Sequence, residues 1–384
     1  MSDDRFARRA ARGAALAAVL AAAALAPAAA AGPGAQFSGS VYFDYWGFLP
    51  EDEAIAKRAP AGVTPEASLK VGVDVTDDLT FSAKACMTCH GVELEHVMLD
   101  FMPTTKFNVQ AGRLAIPFGE FSNRVDPSGH KTVSAPLIYD MGRMVYGERG
   151  AMNLGVVPLP YVDTGVMVYG QVFLGTRIQT WYGFYGVAGM RGGNDLDWIG
   201  MRAPPYNDNN RLPSGGGRIA MNWISEPGEV VGDLAVGASY TGGRYDREAR
   251  LGYHAWAADA TLKLGPFTFR GEYAWRRTDL DPAAPYRFEL VDPWFRKDGW
   301  YAELEHPLGG HLSLVYRYDE LRRTGVPLPG AQPALTPDSR IRRYTGGLYV
   351  VPAASMFLKA SWEYWETTDF DTFHSAHLGI GGAF

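Results

Sequence analysis

The sequence predicts an all-β protein: a transmembrane antiparallel β-barrel of about sixteen strands that follows a cleaved signal peptide. Three observations carry that expectation. Apolar and polar residues alternate with period two along many segments. Short and long connections alternate along the chain. The chain stops at Phe384, an aromatic residue closing an alternating run.

The first residues decide the solvent. Arg5, Arg8, Arg9 and Arg12 form a basic start, 14–25 is an unbroken apolar run, and Pro27 with the small residues 28–32 follows. Charge, a short apolar helix and small residues are what a secretory signal needs. The run is too short to cross ~30 Å of hydrocarbon comfortably as a helix. We therefore divide the chain into a signal peptide, 1–31, and a barrel, 32–384. Residues 1–31 hold four of the 36 basic and two of the 42 acidic side chains, so the remainder carries 32 and 40, a net charge of −8. That balance makes nucleic acid a poor partner. No later stretch approaches ~18 consecutive apolar residues, so contact with a membrane has to be made by strands.

The alternation is clearest in four segments. In 311–320, Leu312, Leu314, Tyr316 and Tyr318 oppose His311, Ser313, Arg317 and Asp319. In 356–364, Met356, Leu358, Ala360, Trp362 and Tyr364 oppose Lys359, Ser361 and Glu363. Segments 267–276 and 69–76 repeat the pattern. Period two places each set on one face of a strand. A soluble sandwich alternates as well, so strand length and loop pattern must decide. Many runs reach ~9–11 residues, enough for a tilted strand to cross a bilayer. Aromatic residues, 13% of the chain, gather near the run ends, where interfacial girdles lie.

Short connections are expected at 76–78, 102–104, 174–176, 225–229, 265–266, 307–310 and 351–354. Long ones are expected at 47–66, 115–160, 188–214, 241–251, 277–297 and 322–338, with briefer links near 86–91 and 368–372. The two classes alternate, as periplasmic turns and external loops do. Residues 373–384 form the last strand, with Ala376, Leu378, Ile380, Gly382 and Phe384 on one face. Its terminal aromatic resembles the assembly signal of Gram-negative outer-membrane proteins, which implies that location and outer-membrane lipid as a partner.

The stretch Gly112-Arg113-Leu114-Ala115-Ile116-Pro117-Phe118-Gly119-Glu120 resembles a motif of the phosphate-selective porins of the O and P type, and Asp163-Thr164-Gly165-Val166 resembles the start of the next strand in that family. The resemblance covers the middle third by motif and the whole barrel by layout. It implies a sixteen-stranded porin and a homotrimer. Phosphate selectivity in that family depends on Arg and Lys lining the constriction; no residues of this chain are assigned to those positions, and a charge of −8 argues against a simple anion channel. Arg276-Arg277, Arg322-Arg323 and Arg342-Arg343 sit near expected external strand ends and are read as rim charges rather than a basic ring.

The two cysteines both fall in Cys86-Met87-Thr88-Cys89-His90, the attachment pattern of a c-type haem. Two thiols three residues apart reach the two vinyl groups of one porphyrin, and the following imidazole ligates iron. One haem c per chain is expected on Cys86 and Cys89, with His90 as proximal ligand. A local disulfide remains an alternative, since exported thiols oxidise. A thioredoxin-like dithiol lacks its βαβ surroundings, and a zinc site lacks a second CxxC. For the sixth iron ligand, His130 in the long loop is the preferred candidate and His96 the next. His96 could reach only if the chain doubles back, because six extended residues span ~20 Å. Met98, Met141 and Met144 rank lower, and the iron could be five-coordinate. His254, His306, His311, His374 and His377 are read as lumen or rim residues.

No spacing implies hydrolytic chemistry, and Gly215-Gly216-Gly217 lacks the Lys-Ser/Thr of a phosphate loop. The expected activity is therefore not enzymatic. It is electron transfer at or across the outer membrane, with periplasmic or extracellular cytochromes as partners, because one haem cannot bridge ~30 Å alone. The alternative is a passive diffusion or anion-selective porin with a structural Cys86–Cys89 disulfide. An envelope haem peroxidase or sensor is a third reading.

Overall fold

A computed structural model describes residues 34–49, 62–88, 91–139, 145–147, 150–152, 155–192, 208–226, 228–281, 292–325, 339–368 and 372–384. The signal-peptide segment, Cys89, His90, Met141 and Met144 lie outside the described residues.

The strands in chain order are β1 (Ala35–Leu49), β2 (Gly62–Thr76), β3 (Leu79–Thr88), β4 (Gly91–Phe101), β5 (Asn108–Ala115), β6 (Val145–Gly147), β7 (Gly150–Met152), β8 (Val162–Leu174) and β9 (Ile178–Val187). They continue as β10 (Ser214–Trp223), β11 (Val231–Arg244), β12 (Gly252–Leu264), β13 (Phe267–Asp279), β14 (Trp294–Pro307), β15 (Leu312–Thr324), β16 (Arg340–Ala353), β17 (Met356–Thr367) and β18 (Phe373–Ala383). Sixteen of them form one closed antiparallel barrel in which β5 pairs with β8 and β18 returns to β1. β6 and β7 make a separate two-stranded ribbon between β5 and β8. Three-residue strands are too short to show alternation, which is why the sequence did not signal them.

The alternation resolves into an inside and an outside. On β15, Tyr316 is 49% exposed on the outer face, whereas Arg317 and Asp319 are buried in the barrel interior. A soluble sandwich would bury the apolar set; here the charged set is enclosed. An apolar exterior on a closed barrel is what lipid requires, since the ladder satisfies every strand and leaves no edge. An aromatic belt runs along the outer face of β12 to β18. Ring centroids are 6.3 Å apart for Trp256–Trp275, 5.0 Å for Trp300–Tyr318, 5.1 Å for Tyr318–Tyr344 and 5.1 Å for Trp362–His374. His254 stacks on Tyr240 in the same belt, so His254 and His374 belong to the outer face rather than to the lumen.

The barrel closes along a β1–β18 ladder that runs from Leu49–His374 to Ser40–Ala383. Gly39 and Phe384 exchange both backbone hydrogen bonds at 3.0 Å, extending the Ser40–Ala383 register. The connections alternate between the two ends of the barrel, and the long ones after β1, β5, β9, β13 and β15 all fall at one end. One short turn is longer than expected, running through 102–107 rather than 102–104. Its Thr104 hydroxyl accepts from the Lys106 and Phe107 amides, and Gln171 N donates to Thr105 O, which docks the turn on β8. The β3–β4 hairpin opens to the long-loop end. Thr88 pairs with Gly91, leaving two residues between the strands.

Candidate functional site

The long connection after β5 does not stay outside. Ile116 N donates to Tyr161 O at 2.8 Å, pinching the base of the loop, and the chain then folds across the lumen. Phe118, Phe121, Leu137, Ile138, Tyr139 and Val156 are buried there. Two glycines of the 112–120 stretch are sterically required, Gly112 by the close approach of β5 to β4 and Gly119 by the loop's turn into the lumen. Gly112, at φ +131°, has a backbone against which a Cβ would strike Val97 O. Gly119, at φ +71°, turns the chain where a Cβ would overlap Glu272 and the Tyr139 hydroxyl.

Charged lumen side chains of β13 to β17 hold the loop backbone. Acidic residues accept: the Glu120 and Phe121 amides point at Glu272 Oε2, each at 3.3 Å, and Leu137 N donates to Asp319 Oδ1 at 3.0 Å. Tyr139 and Ser134 donate short hydrogen bonds to Glu272 and Glu363. Basic residues donate: Arg276 to Val156 O at 2.7 Å, Lys359 to Thr132 O at 3.1 Å, and Arg317 to Thr132 Oγ1 and Ser134 Oγ, both at 2.7 Å. The buried backbone of a loop needs such partners, and these charges supply them. Arg276, Arg323 and Arg343 therefore are not rim charges. They lie buried in the lumen, while Arg277 and Arg322 remain exposed beside them. Alternation was the signal for this; it gave the face, but not the fact that a loop would occupy it.

The loop is also held internally. A 3-10 turn, Phe121–Arg124, brings Arg124 to Glu120 at 2.9 Å and to Glu303 at 3.3 Å. Burial works against that guanidinium charge, but Glu120 and Glu303 outweigh it and raise its pKa. His130 packs on Phe121, with centroids 5.5 Å apart, and its Nδ1 sits 3.1 Å from Arg124 O. Burial first, then nearby Lys359, pushes the imidazole well below its usual range, so His130 is neutral.

On the opposite wall, Lys84 of β3 ties the loop through Asp126 at 2.6 Å. A β-bulge between Lys84 and Ala85 on the paired strands turns both Glu95 and His96 of β4 inward. Lys84 Nζ lies 2.9 Å from Glu95 Oε2, and the Cys86 thiol donates to the same oxygen at 2.8 Å. His96 Nε2 shares a 3.0 Å hydrogen bond with Ser82 Oγ.

Of the haem-attachment residues, Cys86 alone is described. It is a free, half-buried thiol on the lumen side. Its polar neighbours, Lys84, Glu95 and Asp126, are charged, and the described residues around it do not form the apolar walls of a porphyrin pocket. β4 runs extended from Gly91, so the chain does not double back to bring His96 toward the hairpin tip. His130 is enclosed by the loop. Among the described residues no group of three His, Cys, Asp or Glu is arranged to hold a metal ion.

No protein-family model matches the chain, and no curated protein matches it. The resemblance to O- and P-type porins therefore rests on 112–120, on 163–166 and on the strand layout. Solved structures do match in fold. The chain is similar to an anion-selective porin from Comamonas acidovorans, with 12% identity, a TM-score of 0.58, and coverage of 91% of this chain and 99% of that one. It is similar to OmpF of Salmonella typhi, solved in complex with daunomycin, at 12% identity and TM-score 0.57, covering 91% and 97%. It is also similar to the trimer form of OmpT of Vibrio cholerae, at 9% identity and TM-score 0.53, covering 91% and 99%. At these identities the likeness is one of fold: the chain has a porin-like outer-membrane barrel.

Proposed function

We propose that this barrel is a passive diffusion channel for small hydrophilic solutes in the outer membrane of a Gram-negative bacterium. The observation that carries it is the loop after β5, folded into the lumen and hydrogen-bonded to the charged wall. A polar lumen narrowed by a fixed segment passes solutes by size and charge and performs no chemistry on them. The similarity to an anion-selective porin and to a porin-fold trimer supports a channel, and we extend the trimeric assembly to this chain as part of the same reading. The test is single-channel recording of the purified protein in planar bilayers. Stepwise conductance that scales with salt is expected; a folded, inserted barrel that passes no current would refute it.

A second reading is favoured by His90, which directly follows Cys89 and has no role in a plain dithiol. In it, Cys86 and Cys89 carry one haem c and His90 is its proximal ligand. The group would supply one-electron redox chemistry, and cytochrome partners on either side would complete the route. A haem-peroxidase stain on a denaturing gel tests it, in a host with cytochrome c maturation. The stained band should vanish in the Cys86→Ala/Cys89→Ala variant, and an unstained wild-type band would remove the reading.

A further inference from the structure

Resting on the channel reading, we infer that Cys86 is a positioning residue for the lumen loop: its thiol sets Glu95, Glu95 shares Lys84, and Lys84 holds Asp126. The chain of contacts is continuous. Cys86 Sγ is 2.8 Å from Glu95 Oε2, Lys84 Nζ is 2.9 Å from that oxygen, and the same ammonium is 2.6 Å from Asp126 Oδ1 in the loop.

The backbone is shaped for this contact. Alternation alone would send Glu95 to the lipid face, since its neighbour His96 pairs with inward Lys84. The bulge places the extra residue, Glu95, between the two and turns its carboxylate inward, where Lys84 and Glu95 are both buried. Such a bulge re-aims a side chain at the expense of a ladder position, so the carboxylate's position is a feature of the fold. His96 is turned to Ser82 and takes no part in the chain of contacts.

The direction of the effect follows from competition. One ammonium serves two carboxylates. The thiol proton supplies Glu95 with a further donor, which leaves Lys84 shared with Asp126. A sulfur without its proton, or no sulfur at all, leaves Glu95 short of a donor, and it draws Lys84 more strongly. The hold on Asp126 then weakens. That residue anchors a tight turn in which Gly129 N donates to Asp126 O at 2.7 Å, so the loop loosens at this wall. Any covalent change at Cys86 thereby becomes readable at the constriction.

The experiment compares full-length wild type with Cys86→Ser, Cys86→Ala, Asp126→Asn and Cys86→Ala/Asp126→Asn in single-channel recordings. Brief conductance fluctuations should become about five-fold more frequent in Cys86→Ala, the ratio expected for losing one modest hydrogen bond. Cys86→Ser keeps a donor and should restore the wild-type record. In the Asp126→Asn background, Cys86→Ala should add nothing. Wild-type behaviour of Cys86→Ala, no rescue by serine, or an additive double variant would each overturn the inference. Amide exchange over 126–131 reads the same coupling without conductance. Faster exchange in Cys86→Ala from a barrel that conducts nothing would defeat the channel reading and leave this inference standing. Unchanged exchange in a conducting barrel would do the reverse.

Discussion

Replacing Asp319 with alanine should release the lumen loop without opening the barrel. The carboxylate is fully buried and accepts from Arg317 Nε at 3.0 Å, Arg343 Nε at 3.2 Å and the Leu137 amide at 3.0 Å. Its loss leaves two buried guanidiniums sharing fewer acceptors, and breaking a buried pair costs about 3–5 kcal/mol. The part felt by the loop is smaller. A hydrogen bond from Leu137 to a charged acceptor is worth about 1.5–3 kcal/mol. At about 1.4 kcal/mol per factor of ten, the loop-displaced population should rise roughly 10- to 150-fold. The barrel itself stays closed, because the β14–β15–β16 register is made by backbone. Asp319→Asn keeps an oxygen for Leu137 and should fall between wild type and Asp319→Ala. Single-channel recording reads the result as larger mean conductance and more open-channel noise. An Asp319→Ala barrel that is folded and has the wild-type conductance and noise would refute the view that these charges hold the loop.

Two further outcomes follow from the same geometry. His130 has a folded pKa lowered by burial and then by Lys359, so a displaced loop binds the proton more readily than a seated one. Seating is therefore complete above the ordinary histidine value of 6.5 and weakens as pH falls below it. Channel noise should rise between about pH 6.5 and 5 in wild type and stay flat in His130→Gln; a flat wild-type profile would contradict this. On the outer face, Leu378 is 60% exposed. Leu378→Arg should destabilise the barrel by about 2–4 kcal/mol if the site lies near the bilayer midplane. Denaturant unfolding from lipid vesicles measures it, and unchanged stability would place that face in water.

The barrel was legible because its physics is periodic. Arg317 and Asp319 on one face and Tyr316 and Tyr318 on the other can be read by counting in twos, and strand number follows from turns such as 265–266. The terminal Phe384 was legible for the same reason. The constriction was not, because what makes it is a set of contacts between residues 120 to 229 positions apart, such as Arg276 with Val156, Leu137 with Asp319 and Ser134 with Glu363. Composition shows a long loop and cannot show which way it folds. The arginine pairs misled in the same way: adjacent side chains on a strand face opposite sides, so one member of each pair had to be inward, and Arg276, Arg323 and Arg343 are. The bulge at Glu95 escaped because one inserted residue breaks the period locally and leaves no compositional trace. The Cys86 thiol was visible as a motif, whereas its ties to Glu95, Lys84 and Asp126 depend on that bulge.

Because the charges on β13 to β17 are engaged with one another and with the loop, they are poorly placed to set ion selectivity. A permeating ion responds to charges that face the aqueous path and lack a fixed counter-charge. Among the described residues, Lys70 on β2 is such a candidate. It shares the inward face with Ser68, whose hydroxyl bonds Ser40 at 2.9 Å, it pairs across the strand with Lys84, and it is exposed. Lys70→Glu changes the charge by two on that wall; because its carboxylate faces Lys84 and competes with Asp126 for it, Lys70→Gln, which removes one charge and adds no acceptor of that strength, is recorded beside it. One unit charge at ~4 Å in water is worth about 1 kcal/mol, a factor of about five in relative permeability, before screening by salt. The zero-current potential across a KCl gradient should therefore move toward cation preference in Lys70→Glu, most at low salt. Joint replacement of the buried Arg218–Asp259 pair, which is bidentate and charge-neutral, should leave that potential where it was. A shift in the pair replacement and none in Lys70→Glu would mean that the ions follow the paired charges of β10 and β12, and that the loop leaves its path open on that side.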